Sequence, residues 1–194
     1  MPTLISMLRG INVSGQKTIR MAELKAFYES LGYTRVTTYV QSGNVVFDCL
    51  DQDVSALAGS LEKEFARRFG FSVGVVVRHS TDFGRVIASN PFITHRNEDP
   101  HRLHVTFLSA LPSAVALNNL KESKDSKEPI DTTDEYSLSG TEIFLFCPNG
   151  YGKTKLSNSF FEKKLSVLAT TRNWKTVTAL YSLANSRTNP PDKP

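Results

Sequence analysis

The stretch RVTTYVQSGNVVFD, residues 35–48, carries a clear fold signal in the first half of the chain. Two β-rich runs, Arg35–Gln41 and Asn44–Asp48, flank the turn dipeptide Ser42-Gly43. Valine, threonine, tyrosine and phenylalanine favour strands, and a Ser-Gly pair between two such runs favours a tight turn. The stretch therefore predicts a β-hairpin.

The hairpin lies in the middle of a six-element pattern. The flanking predictions are strand Leu4–Leu8, helix Met21–Leu31, helix Val54–Phe69 and strand Ser72–Arg78. The long helix is predicted from apolar residues that recur at spacings of three and four. The resulting order, βαββαβ, is that of a ferredoxin-like unit.

A second pass through the same order begins at residue 103. Its predicted strands are Leu103–Leu108, Asp134–Leu138, Thr141–Cys147 and Val167–Thr170, and its helices are Ala114–Leu120 and Thr154–Leu165. The two Ser-Gly turns, at 42–43 and 139–140, lie 97 residues apart. The two opening strands, at Leu4 and Leu103, lie 99 residues apart. The near agreement of the two spacings indicates an internal duplication.

We therefore predict an α+β fold of two tandem ferredoxin-like (βαββαβ) subdomains with extra helices. Residues 1–90 form the first subdomain in this prediction, and residues 91–194 form the second with a C-terminal helix and a disordered tail. The extra helices are predicted at Thr81–Ser89 and Trp174–Leu183, and a polar connector at Asn90–His101 marks the boundary.

Composition narrows the class of protein. No apolar run of the 194-residue chain reaches the roughly 20 residues that span a bilayer. The N-terminus resembles no signal peptide.

The two cysteines, Cys49 and Cys147, are expected to be reduced and buried in a cytoplasmic protein, with a disulfide as the alternative. Residues 148–194 hold eight Lys and Arg against two acidic residues, which favours anionic partners.

The segment PNGYGKTK, residues 148–155, is the first candidate site. It resembles the end of a phosphate-binding P-loop, but Cys147 stands where that loop has its first glycine, so we exclude a P-loop NTPase. A general anion site remains, with ammonium groups and backbone N–H groups at a helix start. Its residues would be Asn149, Gly150, Gly152, Lys153 and Lys155. The alternative is a tight turn, a Thr154 helix cap and solvated lysines.

The segment LRGINVSG, residues 8–15, is the second candidate site. Arg9 would bind a phosphate or carboxylate, Asn12 would contribute polar contacts, and Gly10 would let the backbone approach a ligand. The alternative is a turn-rich loop in which Arg9 pairs with a structural carboxylate such as Asp48.

The third candidate is TTRNWK, residues 170–175. Arg172 beside Trp174 would stack a base or bind an anion, with Asn173 as the cap of the last helix. The alternative is that the tryptophan anchors packing. We expect this segment and the Asn149–Lys155 loop to lie at opposite ends of the second unit.

Other chemistry finds little support. His101 and His104 are three apart on a predicted strand, so they point to opposite faces and suit no common metal ion. The sequence predicts no metal site and no bound cofactor, and it assigns no catalytic residue.

The chain resembles the uncharacterised family known as domain of unknown function 1697. The matching segments are LRGINVSG at 8–15, MAEL at 21–24, TYVQSGNVVF at 38–47, NPF at 90–92, LHVTFL at 103–108, PNGYGKTKL at 148–156 and TTRNWKTV at 170–177. Two positions depart, since Ser14 stands where the family commonly has Gly and Lys175 where Asn is frequent. The resemblance implies two ferredoxin-like subdomains in tandem and no established activity.

We expect a cytoplasmic module that binds a phosphorylated small molecule or a nucleotide, with no membrane contact; whether it is an enzyme and which oligomeric state it adopts stay open. One alternative is nucleic-acid binding by the basic C-terminal quarter, with Tyr39 on an exposed sheet face. Another is a protein–protein adaptor.

Overall fold

The structure is a computed structural model that describes residues 1–13, 15, 17–50, 53–125 and 133–188. Within these residues the fold is mixed α+β, with two four-stranded antiparallel sheets. The chain divides into two compact units, Met1–Arg85 with Thr178–Pro194 and Val86–Val177. The predicted division at residue 90 follows chain order and stays a prediction.

The first sheet has the strand order β2-β3-β1-β4. Its strands are β1 (Thr3–Leu8), β2 (Thr34–Tyr39), β3 (Asn44–Asp48) and β4 (Val75–His79). The predicted hairpin is confirmed, because β2 and β3 pair with Tyr39 opposite Asn44. Strand β1 lies between β3 and β4 and runs antiparallel to both. The amino ends of β3 and β4 therefore meet the carboxyl end of β1.

Two helices cover one face of this sheet, α1 (Met21–Ser30) and α2 (Val54–Phe69). Helix α2 has the predicted bounds, with a buried face that includes Leu57, Leu61 and Phe65. The Asp53 carboxylate caps its start by accepting hydrogen bonds from the N–H groups of Ser55 and Ala56. Apolar periodicity and a cap at the right spacing thus fix this helix locally.

The second sheet repeats the strand arrangement as β6-β7-β5-β8. Its strands are β5 (Leu103–Leu108), β6 (Glu135–Ser139), β7 (Glu142–Phe146) and β8 (Ala169–Asn173). Helices on one face are α5 (Ala114–Asp125) and α6 (Asn158–Leu165), which pack on a core that includes Ile143, Leu145 and Phe161.

The remaining helices are α3 (Ser80–Ser89), α4 (Pro91–Thr94) and α7 (Trp174–Thr188), with 3-10 turns at Pro100–Arg102 and Tyr151–Lys153. Helix α4 lies in the segment predicted as a polar connector, and the fully buried Asn90 caps it. Helix α7 continues to Thr188, so the tail expected to be disordered is helical in part, and residues 189–194 lie outside the described residues. Among the described residues, no helix combines the length and the apolar character needed to cross a bilayer.

Candidate functional site

The Asn149–Lys155 loop and the Arg172–Trp174 segment lie at the same edge of the second sheet. Strand β5 is antiparallel to both β7 and β8, so β7 and β8 run in one direction and end at one edge. The start of β5 lies there too, with His104 opposite Asn173. The expectation that the two segments lie at opposite ends was therefore wrong. It overlooked that two strands flanking a common antiparallel neighbour must end together.

The loop after β7 is a pair of tight turns that ends well before α6. Gly150 has a φ of 90°, and its N–H donates to the Cys147 carbonyl at 2.9 Å. The side-chain amide of Asn149 donates to Thr133 Oγ1 at 3.1 Å. Lys153 closes the next turn by donating its N–H to the Gly150 carbonyl at 3.1 Å. The loop is thus held by its own backbone.

The predicted helix start at Thr154 was wrong. Helix α6 begins at Asn158, and the Ser157 side chain is its cap. Thr154 instead accepts a hydrogen bond from the Leu156 N–H at 3.0 Å, which stabilises the turn before the helix. The exposed Lys153 and Lys155 therefore lie ahead of the helix rather than in its first turn. Gly152 between the turns needs no special backbone angle, and a Cβ would meet nothing within 4 Å there.

A histidine–tyrosine pair occupies the same edge. The ring of His104 stacks on that of Tyr151, with the centroids 4.7 Å apart and the planes at 24°. His104 is 9% exposed, and its Nδ1 atom has no hydrogen-bond partner within the described structure. Burial lowers the pKa of His104 below its ordinary value, although the Arg102 backbone opposes the shift. The ring is therefore neutral at pH 7 and has a buried nitrogen that a ligand could satisfy.

Arg172 lies close to this pair but is largely committed to its own strand. It is 7% exposed, and its Nη1 donates to Thr170 Oγ1 at 2.8 Å and to the Thr171 carbonyl at 2.9 Å. Burial lowers the pKa of Arg172 to about 10, and the nearby Tyr151 opposes this. Arg172 thus stays protonated at neutral pH and places a buried positive charge within electrostatic reach of Tyr151.

Asn173 and Trp174, which follow Arg172 in the chain, have structural roles. Asn173 caps α7, as predicted, by accepting a hydrogen bond from the Thr176 N–H at 2.8 Å. Trp174 is in the first turn of the helix and is 7% exposed. Its ring is therefore packed, which favours the anchoring role over stacking with a ligand.

Polar side chains continue along the core face of β5 and β8, a feature that the sequence analysis missed. Thr106 and Thr171 share a hydrogen bond of 2.7 Å between their hydroxyl oxygens, and Thr171 donates to Asn158 Oδ1 at 2.6 Å. His104 lies two residues before Thr106, hence on the same face. The sequence shows polar residues at alternate positions in both strands, His104 and Thr106 in β5 and Thr171 and Asn173 in β8. Only the strand register shows that these two polar pairs lie opposite each other.

In the first unit, the described residues of the LRGINVSG segment contact the β2–β3 hairpin, and Ser14 lies outside the described residues. The N–H of Leu8 donates to the Gly43 carbonyl and that of Arg9 to the Gly74 carbonyl, both at 2.8 Å. Arg9 thus follows the carboxyl end of β1, whereas Asp48 pairs with Thr3 at the other end. The alternative pairing of Arg9 with Asp48 was therefore wrong.

Asn12 holds this loop in place. Its side-chain amide donates to the carbonyls of Ile19 at 3.0 Å and Gln41 at 2.8 Å, and its Oδ1 accepts from the Ile19 N–H at 2.8 Å. These contacts use the side chain for the loop itself rather than for an anion. Gly10 has a φ of 71° and open space where a Cβ would lie, so the backbone remains accessible there.

Comparison with known proteins identifies the family. A family described as "Protein of unknown function (DUF1697)" matches residues 1–137. The chain belongs to this family. The match includes the LRGINVSG loop and His104 of this DUF1697 chain, and it ends before the Asn149–Lys155 loop.

A solved structure resembles the chain along nearly all of its length. It is that of a conserved bacterial protein, SP0830, from Streptococcus pneumoniae, with 25% sequence identity and a TM-score of 0.70. The similarity covers 94% of this DUF1697 chain and 98% of the other chain. No curated protein matches.

Metal-binding and reactive groups are limited in the part of the chain that the structure describes. No group of three His, Cys, Asp or Glu side chains is arranged to hold a metal ion there. Cys49 and Cys147 are both buried, and neither forms a disulfide. Burial and the nearby Asp134 raise the pKa of Cys147 to about 11, with a hydrogen bond to Thr154 opposing them. The Cys147 thiol is therefore protonated at pH 7 and weakly nucleophilic.

Proposed function

We propose that this DUF1697 protein binds a phosphorylated small molecule or a nucleotide at the edge of the second sheet where β5 begins and β7 and β8 end. The observation that carries the proposal is the buried, unpartnered Nδ1 of His104, on a ring stacked against Tyr151. A buried polar atom without a partner is rare in folded proteins and is often explained by a ligand or an ordered water.

The charges at this edge support an anionic ligand. Lys153 is exposed and follows Tyr151 by two residues, while the buried Arg172 adds positive charge nearby. An exposed ammonium group can reach a phosphate, and a neutral histidine can donate or accept a hydrogen bond. Lys153 would bind the anionic group, and His104 and Tyr151 would orient the rest of the ligand.

The nucleic-acid alternative has less support. That alternative joined the basic C-terminal quarter to an open sheet face carrying Tyr39, which pairs with Asn44. Ile5, Met7 and Val46 lie on that same face and are each 0% exposed. A face that is buried offers no platform on which bases could stack.

The repeated strand order supports two tandem ferredoxin-like units, residues 1–90 and 91–194, that arose by duplication. Hydrogen bonds recur at corresponding positions. The bond from the Leu8 N–H to the Gly43 carbonyl in the first unit corresponds to the bond from the Leu108 N–H to the Thr141 carbonyl in the second. The bond from the Cys49 N–H to the Pro2 carbonyl corresponds to that from the Cys147 N–H to the Arg102 carbonyl. The bond from the Val75 N–H to Glu62 corresponds to that from the Ala169 N–H to Glu162. Such repetition of local ties is expected when both halves descend from one unit. Two buried cysteines that form no disulfide support a reducing, cytoplasmic location.

A thermal-shift panel of nucleotides and phosphorylated metabolites tests the binding proposal. A ligand at 100 times its Kd adds about 2.7 kcal/mol of stability, or roughly 5–10 °C in Tm for a chain of this size. The shift should disappear in Lys153→Ala and in His104→Leu, and it should persist in the control Lys63→Ala, which removes an exposed lysine of α2. A panel without shifts, or a shift that survives Lys153→Ala and His104→Leu, would contradict the proposal.

A further inference from the structure

A buried charged cluster lies at the end of β3 in the first unit. Its centre is the carboxylate of Asp48, which is 2% exposed. Thr3 Oγ1 donates to Asp48 Oδ1 at 2.9 Å, and the Nε and Nη2 atoms of Arg35 contact Oδ2. Arg187 places its Nη1 atom 3.8 Å from Oδ1. One carboxylate thus faces two guanidinium groups.

The second guanidinium group is only partly satisfied. The side chain of Arg187 is 11% exposed, and its Nη2 donates to Thr37 Oγ1 at 2.6 Å. Its Nη1 is buried and makes no hydrogen bond within the described structure. A buried N–H group without an acceptor costs free energy, which an additional acceptor would recover.

The backbone holds Arg35 in an uncommon conformation. Its φ is 49°, in the left-handed region, where the pairing of β2 with β3 shifts register between Thr34 and Thr37. Bulges of this kind redirect a side chain, and strained residues of this kind concentrate at functional sites. Here the bulge directs the guanidinium group of Arg35 to Asp48 while leaving 51% of the side chain exposed.

The charges of the cluster do not balance. Neither arginine has a second carboxylate partner among the described residues, so two positive charges face one negative charge. Burial and the neighbouring Arg35 both lower the pKa of Arg187, with Asp48 opposing them. A further anion would neutralise the cluster and supply the missing acceptor.

We propose that Arg35, Arg187 and Asp48 form a binding site for one oxyanion group that carries a single negative charge, a carboxylate or a phosphate monoanion. The planar guanidinium fork matches the oxygen spacing of both groups. The half-exposed Arg35 provides the access from solvent. This site belongs to the first unit and does not depend on the ligand proposed for the second.

The test compares thermal unfolding of the full chain in sodium chloride, sodium acetate and sodium phosphate at matched ionic strength. An oxyanion at ten times its Kd should raise Tm above the chloride value by roughly 3–6 °C. A rise with acetate identifies a carboxylate site, and a rise with phosphate alone identifies a phosphate site. Arg35→Gln should lose the rise. Arg67→Gln should keep it, because Arg67 is a 78% exposed arginine that pairs with Glu64.

Asp48→Asn provides a second and opposite readout. Removing the carboxylate should lower Tm in chloride and enlarge the oxyanion rise, because both arginines then lack their carboxylate. Equal Tm values in the three salts, or a rise that Arg35→Gln retains, would overturn the proposal. Lys153→Ala should keep the rise, so a failure here is distinguishable from a failure of the site in the second unit.

Discussion

At the scale of single residues, Gly43 fixes the turn between β2 and β3. Its φ is 75°, and a Cβ would lie 2.7 Å from Ile11 Cδ1 and 2.9 Å from Leu8 Cβ. We expect Gly43→Ala to lower the free energy of unfolding by about 2 kcal/mol or more, because the variant combines backbone strain with a steric clash. Urea unfolding followed by circular dichroism measures this loss.

Gly59→Ala is the matched control. Gly59 lies within α2, has an ordinary φ and would meet nothing within 4 Å of a new Cβ. Alanine favours helices over glycine, so this variant should gain about 0.8 kcal/mol. If Gly43→Ala lowers the free energy of unfolding no more than Gly59→Ala does, the turn does not require glycine.

His104 predicts a dependence of stability on pH. Burial lowers the pKa of His104 in the folded chain below its ordinary value of 6.5. The unfolded chain therefore binds a proton at higher pH than the folded chain, and stability is lost as pH falls through about 6.5. We expect His104→Leu to lose less stability between pH 7.5 and 5.5 than the unchanged protein, by up to about 1.4 kcal/mol per pH unit. Urea unfolding across this range measures the difference, and parallel profiles would count against a neutral, buried His104.

At the scale of elements, the last strand of each sheet begins with an N–H group that donates a hydrogen bond to a glutamate of the preceding helix. Glu162 of α6 accepts a hydrogen bond from the N–H of Ala169, the first residue of β8, at 3.1 Å. Glu62 of α2 does the same for Val75 of β4 at 2.8 Å. We expect Glu162→Ala to speed hydrogen exchange of the Ala169 amide about tenfold, because the first amide of the edge strand β8 loses its hydrogen-bond acceptor.

Glu162→Gln is the control for this tie, since it keeps an acceptor oxygen at the same reach. Exchange of the Ala169 amide should stay within about threefold of the unchanged protein in this variant. Exchange that is equally fast in both variants would assign the protection to the negative charge rather than to the hydrogen bond. The measurement is amide exchange followed by NMR.

Helices α2 and α6 differ in how well sequence predicts their starts. In α2, Asp53 directly precedes a regular apolar period, and the predicted bounds are confirmed. Before α6, Thr154 and Ser157 are both suitable caps. The chain uses Ser157, because the turn Tyr151–Lys153 delays the entry into the helix. Local preference cannot choose between two equivalent caps.

At the scale of the whole molecule, α7 returns to the first sheet through Arg187. The side chain donates to Thr37 Oγ1, 150 residues earlier in the chain, and lies near Asp48. We expect Arg187→Met to lower the free energy of unfolding by roughly 1–3 kcal/mol, because Thr37 and Asp48 each lose a buried partner. Urea unfolding gives the loss, and amide exchange in β2 and β3 should show where it occurs.

Arg67→Met controls for the loss of an exposed ion pair. Arg67 and Glu64 pair at 2.7 Å on the surface of α2, and such pairs contribute about 0–1 kcal/mol. If Arg187→Met lowers the free energy of unfolding no more than Arg67→Met does, the charged cluster around Asp48 does not anchor helix α7.

The sequence by itself determined the order of the strands and of the helices other than α4, the hairpin at Ser42-Gly43 and the cap at Asn173. These features follow from periodicity, turn residues and caps, which act over a few residues. Tertiary structure alone decided that the Asn149–Lys155 loop and Arg172 share an edge, that His104 is buried against Tyr151 and that Arg187 reaches Asp48. The physical reason is that strand register and burial depend on contacts between residues far apart in the chain, which no local pattern specifies.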